Sequence, residues 1–567
     1  MSRWRATGAS SARNRMWSTG RIGALVAGVC LLPCDALAQP PPQPPPFTVP
    51  RIITPAAPVT PAPPPEPPPE VMPDWYRPLL AGRFDEALGR AGDQAWAQAF
   101  IKGSAAERRG AYAEAEQHYR EALVDEPTGE PALALADLLT RTGRRDDASA
   151  IWQRILRAGQ QQRTGGSLSR AARAAHGLAQ VRLANSYYQT AANLSPDDPR
   201  IHTRWGDLFL EKFNVAEARA SYETALKADA QYVPALVGMA RALADTNPTA
   251  AEAAARQAIA IDPDQPDGWT LLASEAIDAT RRPDARAALE KVLAVNPHHV
   301  EALALSAALA QIEDRTEDVA AFTARALAVN PRNADVHRIV GERVARQYRF
   351  DEAVRFLREA VTLDPENSRA QASLGLHLMR TGDEAAARTA LEAAFARDPF
   401  DTVTYNLLSL LDTLDKFVTI DAPNLSIRLH EQEVAVLRPY LVPLAEQALA
   451  DLSRRYDFTP AGPILVEVFP RHDDFAVRTM GLPGMIGALG ACFGRVVTMD
   501  SPRARPSGTF NWAATLWHEL AHVIAPEHDV EHVRGREDFG LEVGRDLAVG
   551  QRREQRERGE LRHLDPV

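Results

Sequence analysis

The chain has 567 residues, of which 45% are hydrophobic and 24% charged, and its formal net charge is −10. That length excludes a single hydrophobic core and points to two or three domains, while the composition excludes a collagen-like or wholly disordered chain. The acidic balance argues against nucleic acid as a partner.

Residues 1–38 read as a secretory leader. Arg3, Arg5, Arg13, Arg15 and Arg21 precede an apolar stretch over 22–33, and Ala36, Leu37 and Ala38 form a small-x-small cleavage site. The apolar stretch is too short to span a bilayer and no later segment is long enough, so the mature chain is expected to lack a transmembrane span. The expected destination is export, periplasmic or envelope-associated in a bacterium. Five arginines and one aspartate leave with the leader, moving the formal charge to about −14. Of three cysteines only Cys492 would remain, so no intrachain disulfide could brace the fold.

Residues 39–72 are dominated by proline runs and cannot build a core; they read as a semi-rigid linker. A 34-residue period follows. Pro263, Pro297, Pro331, Pro365 and Pro399 are in phase, each preceded by Asp262, Asn296, Asn330, Asp364 or Asp398. Gly341, Ala353 and Ala360 recur as Gly375, Ala387 and Ala394, and an earlier unit supplies Gly206, Ala218 and Ala225. Small residues let two helices approach closely, and an Asp/Asn-Pro pair ends one helix while opening the next. This period and these positions resemble the tetratricopeptide repeat, a helix-turn-helix unit that stacks into a solenoid. The resemblance implies a mainly α-helical solenoid over 73–412, regular between 199 and 402, with a surface for a protein or peptide partner. A loop is expected over Gly159–Ser169, where glutamines and glycines interrupt the array.

The pattern changes after Phe400. Residues 417–420 and 426–430 read as short strands, 431–455 as a helix, and 464–469 and 495–500 as further strands. Glycines at 481, 484, 487, 490 and 494 mark the intervening segment as a loop. Strands before a helix give an α+β order. Cys492 is expected to be packed rather than nucleophilic, and His472, Asp473 and Asp474 to form a strand-to-helix turn rather than a metal cluster.

His518-Glu519-Leu520-Ala521-His522 then spells H-E-x-x-H within an amphipathic helix beginning at Asn511. Residues four apart share a helix face, so both imidazoles can grip one Zn²⁺, with Glu519 placed as general base. Chance alone yields this pattern in about 2 of 100 chains of this size and composition. The alternative is two core histidines on an ordinary helix. A catalytic zinc also needs a third protein ligand. Three residues compete: His528, six positions after His522; Glu537; and Glu542, nineteen positions after His522 with Asp546 one turn further on.

The strand-strand-helix order, with Val466–Pro470, His472–Phe475, Arg478–Gly484, Cys492–Pro502 and Phe510–His522, resembles the peptidase MA-like domain of the gluzincin metallopeptidases. That resemblance implies a small α+β domain over 413–550 and a zinc-dependent peptide hydrolase, with His518, His522 and Glu542 as ligands and Glu519 as base. It further implies that the strand leading into 495–500 is the sheet edge on which an extended substrate pairs. Gluzincins close the cleft with a helical lobe beyond the metal helix. Here the segment after it departs from the family pattern, so a truncated domain ending in a charged, disordered tail over 551–567 is expected. The alternative function is a non-enzymatic repeat scaffold carrying a degenerate peptidase domain.

Overall fold

The structure is a computed structural model that describes residues 72–484 and 487–524. The leader, nearly all of the proline linker and the charged tail therefore lie outside the described residues.

Twenty-one helices run from Tyr76–Leu80 to Thr402–Leu414 and pair as antiparallel hairpins. Within a hairpin the second helix crosses the first at a small residue. A Cβ on Gly206 would lie 2.6 Å from the Tyr222 ring, one on Gly341 2.9 Å from Leu357 Cγ, and one on Gly375 2.5 Å from Leu391 Cγ. The close approach buries the in-phase alanines: Ala218, Ala353, Ala360 and Ala387 are all completely buried. The second helices stop at their Asp or Asn, and at most of these positions the side chain folds back to accept a backbone N–H two residues on. Asp262 does so from Asp264 (3.2 Å), Asn296 from His298 (2.9 Å) and Asn330 from Arg332 (3.0 Å).

The interruption expected over 159–169 is much shorter. Helices Arg145–Gln161 and Gly165–Gly177 leave only residues 162–164 between them. Thr164 and Ser167 form a reciprocal capping box, and Gly159 permits a close crossing, since a Cβ there would meet Ala171 Cβ at 2.3 Å. The glycines serve helix packing rather than a loop.

After the solenoid comes a sheet of five strands: β1 (Phe417–Ala422), β2 (Leu425–His430), β3 (Ile464–Phe469), β4 (Gly490–Phe493) and β5 (Val496–Asp500). Their order is β1-β2-β3-β5-β4, with β2, β3 and β5 parallel and both edges antiparallel. Two expectations are corrected here. The glycine-rich segment holds a strand, β4, because a short antiparallel turn at Gly494 (φ +64°) returns it onto β5. In consequence β5 is internal and fully buried, and the sheet edge that could accept an extended peptide is β4.

Three helices cover the sheet: α1 (Val434–Tyr456), α2 (His472–Met480) and α3 (Trp512–Ile524). Helices α1 and α3 pack on one face through Leu441, Ala445, Leu516 and Leu520 against Ile427, Val466 and Val497. The other face meets the last repeats, where Phe469 and Phe475 join Leu378, Leu391 and Leu411 in one core. A buried ion pair fastens this seam: Arg478 Nε donates to Glu467 at 2.7 Å, and its second arm donates to the Met379 carbonyl at 2.8 Å. Both side chains are completely buried. Arg428 adds contacts to Glu467 (3.3 Å) and to Glu384 of the solenoid.

Candidate functional site

Helix α3 carries the H-E-x-x-H pattern. Asn511 opens it by accepting the Ala514 N–H at 3.1 Å. Leu516, Leu520, Ala521 and Ile524 form the buried stripe that glues the helix to the sheet. This stripe turns His518 and His522 toward a half-buried flank, where their Nε2 atoms face each other at 3.1 Å with the rings at 90°. Two imidazole nitrogens bound tetrahedrally to one zinc, each about 2.0–2.1 Å from it, stand about 3.3 Å apart. The pair therefore fits a shared cation. Burial pushes the His518 imidazole down, toward the neutral form a ligand needs.

Glu519 is 6% exposed. Burial pushes its carboxyl up to about 7, the range suited to a general base near neutral pH. Its neighbour is the start of β4: a Cβ on Gly490 would lie 2.6 Å from both Glu519 Cγ and Oε1. Gly490 thus makes room for the carboxylate beside the edge strand. Among the described residues no group of three His, Cys, Asp or Glu side chains is arranged to hold a metal. Glu542, together with His528 and Glu537, lies outside the described residues.

A second constellation was not expected. At the carboxyl ends of the parallel strands, His472 Nδ1 lies 2.9 Å from Asp500 Oδ2, and Arg505 Nε donates to the same oxygen at 2.8 Å. Arg505 also holds the Ala488 carbonyl at 3.1 Å, steadying the approach to β4. His472 opens α2 as the sequence implies, but its partners lie 28 and 33 residues away, beyond any local signal.

The solenoid has its own concavity, an open cavity of about 870 Å³ whose wall includes Glu107, Arg141, Arg241, Asp267, His299 and Arg338. Acids and bases alternate around it. Arg241 meets Asp267 at 2.7 Å, Arg338 meets Asp335 at 2.7 Å, and Arg369 meets Glu211 at 2.9 Å. Burial pushes the His299 imidazole down. The repeat period locates the helices supplying this wall, yet no motif marks these residues, because they are scattered at unequal offsets.

Residues 107–175 and 345–411 match one tetratricopeptide-repeat model, and residues 81–131, 203–266 and 319–368 match a second. The chain carries tetratricopeptide repeats. All these matches fall between residues 81 and 411, so the family models support the solenoid and none covers the α/β lobe. No curated protein matches the chain. Among solved structures, similarity is found to the Cut9–Hcn1 hetero-tetramer of the APC/C, at 14% identity over 59% of this chain and 82% of that one, with a TM-score of 0.35. A tetratricopeptide repeat protein from Parabacteroides merdae is similar at 15% identity over 44% and 98%, with a TM-score of 0.32. YrrB, a tetratricopeptide protein with an unusual peptide-binding site, is similar at 17% identity over 32% and 95%, with a TM-score of 0.22.

Proposed function

We propose that the chain is a protein-binding scaffold whose inner solenoid wall grips an extended segment of a partner, and that the α/β lobe is presented beside that grip. The observation carrying this reading is the cavity of about 870 Å³ with its interleaved acids and bases, built from the repeats themselves. A wall of paired charges can exchange its internal partners for those of a ligand and favours a peptide carrying both signs. Panning a random peptide library on the full chain tests it. Selected peptides should lose at least tenfold in affinity with Arg241→Ala/Arg369→Ala, two inner-wall arginines whose side chains are 41% and 56% exposed. They should keep it with Arg388→Ala, whose surface ion pair lies outside the cavity lining. Equal affinity for all three would overturn the reading.

A second reading rests on the facing imidazoles of His518 and His522 and the buried Glu519: an exported zinc-dependent peptidase, led across a membrane by residues 1–38 and fed by the solenoid. His518, His522 and Glu542 would hold the metal. A zinc ion there would supply Lewis acidity toward a water and a scissile carbonyl. Glu519, near neutrality in its buried setting, would take the proton, and β4 would align an extended substrate by backbone pairing. This reading expects one tightly held zinc per chain, lost in His518→Ala, and chelator-sensitive cleavage abolished in Glu519→Ala with the metal retained. Zinc well below one equivalent, with no cleavage in wild type, would leave the scaffold alone.

A further inference from the structure

The period-34 Asp and Asn residues do more than end helices. Their side chains, and that of Asp229 at the end of an earlier hairpin, also meet residues far back in the chain, from 154 to 219 positions away for the in-phase ones. Arg77 Nε lies 3.1 Å from Asp229. Arg108 donates to Asp262 at 2.8 Å, and to the Asp264 carbonyl at 3.0 Å. Asn296 donates to the Tyr112 hydroxyl at 3.3 Å, which in turn donates to the His298 carbonyl at 3.2 Å. Arg145 pairs with Asp364, and Lys212 with Asp398. The Tyr112 and Lys212 contacts each span 186 residues, about five and a half repeat units. The solenoid therefore winds so tightly that one superhelical turn rests on the previous one.

The backbone is shaped for this contact. Three hairpin turns in the first winding carry glycine: Gly82, Gly110 and Gly143, at φ +70°, +78° and +83°. A Cβ on them would lie 2.6, 2.2 and 2.5 Å from side-chain oxygens of Asp262, Asn296 and Asn330 respectively. Later turns place Phe213, Thr280, Asp314 and Tyr348 in the same left-handed conformation, so the backbone angle does not itself demand glycine. Glycine stands at the three turns on which Asp262, Asn296 and Asn330 press, whereas the turn at Lys212 and Phe213 meets Asp398 without one. Apolar contact supports the seam, since Leu80 packs against Ala225, Tyr232 and Ala235.

The clamp and the cavity share residues. Arg108, Tyr112 and Asn296 line the inner cavity and also hold the two windings together. We propose that this turn-on-turn ladder is a gate on the groove: latched, it narrows the way into the open cavity, and a large ligand enters faster when the windings part. The inference deepens the scaffold reading by giving the regulation of its groove, yet it can be tested without any ligand. Because Arg108 and Tyr112 serve both wall and clamp, an occupant that takes their hydrogen-bonding groups weakens the seam. By reciprocity, weakening the seam favours loading. The acceptors Asp262 and Asp364 are 2% and 0% exposed; removing Arg108 leaves the Asp262 charge buried without its cation, and removing Arg145 leaves Asp364 only the longer Arg332 contact at 3.6 Å, so the windings are driven apart.

The test uses the full chain, with two readouts. Zero-length carbodiimide coupling should join Lys212 to Asp398 within one chain, and the cross-link should fall at least fivefold in Arg108→Ala/Arg145→Ala. Ser104 lines the cavity, so Ser104→Cys reports entry. A polymer-linked maleimide should alkylate position 104 at least tenfold faster in the clamp variant than in the intact clamp, while a small maleimide reacts equally with both. Circular dichroism of both proteins checks that the helices persist, and Gly110→Ala, which wedges the seam without removing a charge, should reproduce the faster polymer entry. Absence of the cross-link in the intact clamp, or equal polymer entry in all variants, would overturn the gate. Loss of peptide binding in the inner-wall variants would be unaffected by that outcome, so the two proposals fail separately.

Discussion

The solenoid and the α/β lobe bury their apolar surface in opposite ways. In the solenoid the core is divided into one large cluster over residues 75–174 and many smaller ones, most joining hairpins that are neighbours in sequence, with alanines interleaved among leucines, isoleucines and valines. In the lobe one cluster gathers Ile427, Leu441, Val466, Val497 and Leu520 from across about a hundred residues. Local, repeated packing tolerates sequence drift unit by unit. A sheet with parallel central strands depends on all its parts at once. Damage in the lobe should therefore spread, whereas damage in the array should stay near its site.

The largest expected effect is at the seam between the regions. Arg478→Ala should cost about 3–5 kcal/mol in the lobe's unfolding, because it leaves the buried Glu467 carboxylate only the longer contact to the partly exposed Arg428. Arg478→Met/Glu467→Met should recover most of that loss, and chemical denaturation of the three proteins measures it. Next, Leu516→Ala in α3 and Leu289→Ala in the array remove the same side chain from buried sites, each at about 2–5 kcal/mol. Hydrogen exchange should show the first loosening all five strands and the second only adjoining hairpins. An equally local response in both would break the contrast.

A pH effect sharpens it further. His377 is buried beside the seam, and burial, helped by the Arg380 charge, pushes its imidazole down to about 3. The unfolded chain binds that proton near the ordinary value of 6.5, so the folded state loses stability as pH falls below 6.5. The slope is up to about 1.4 kcal/mol per pH unit. His377→Asn should flatten it between pH 6.5 and 5, read from denaturation midpoints. The smallest effect is expected at Arg388→Ala, whose pairs with Asp412 and Asp415 are solvent-exposed; it should change stability by less than about 1 kcal/mol.

The same contrast explains what could be read from the chain alone. The 34-residue phase revealed the helices because each unit repeats one local solution, and His518 with His522 was legible because a helix brings residues four apart together. Strand β4 was hidden by its glycines: Gly490 faces Glu519 from 29 residues away, and spacing cannot show that. The internal position of β5 was likewise a matter of sheet order rather than of sequence. Asp262 and Asn296 were legible as helix terminators, but their second task lies on a winding more than 150 residues distant. Glu542 rests on a resemblance to a family, and its position is outside the described residues.

The inner wall as working surface is tested most directly by photo-cross-linking. A library-selected peptide carrying a photoreactive group, bound to the full chain and irradiated, should be recovered on tryptic peptides containing Tyr112, His299 or Glu301, all lining the cavity. Recovery mainly on outer helices such as the one bearing Arg325, or on the α/β lobe, would contradict the account.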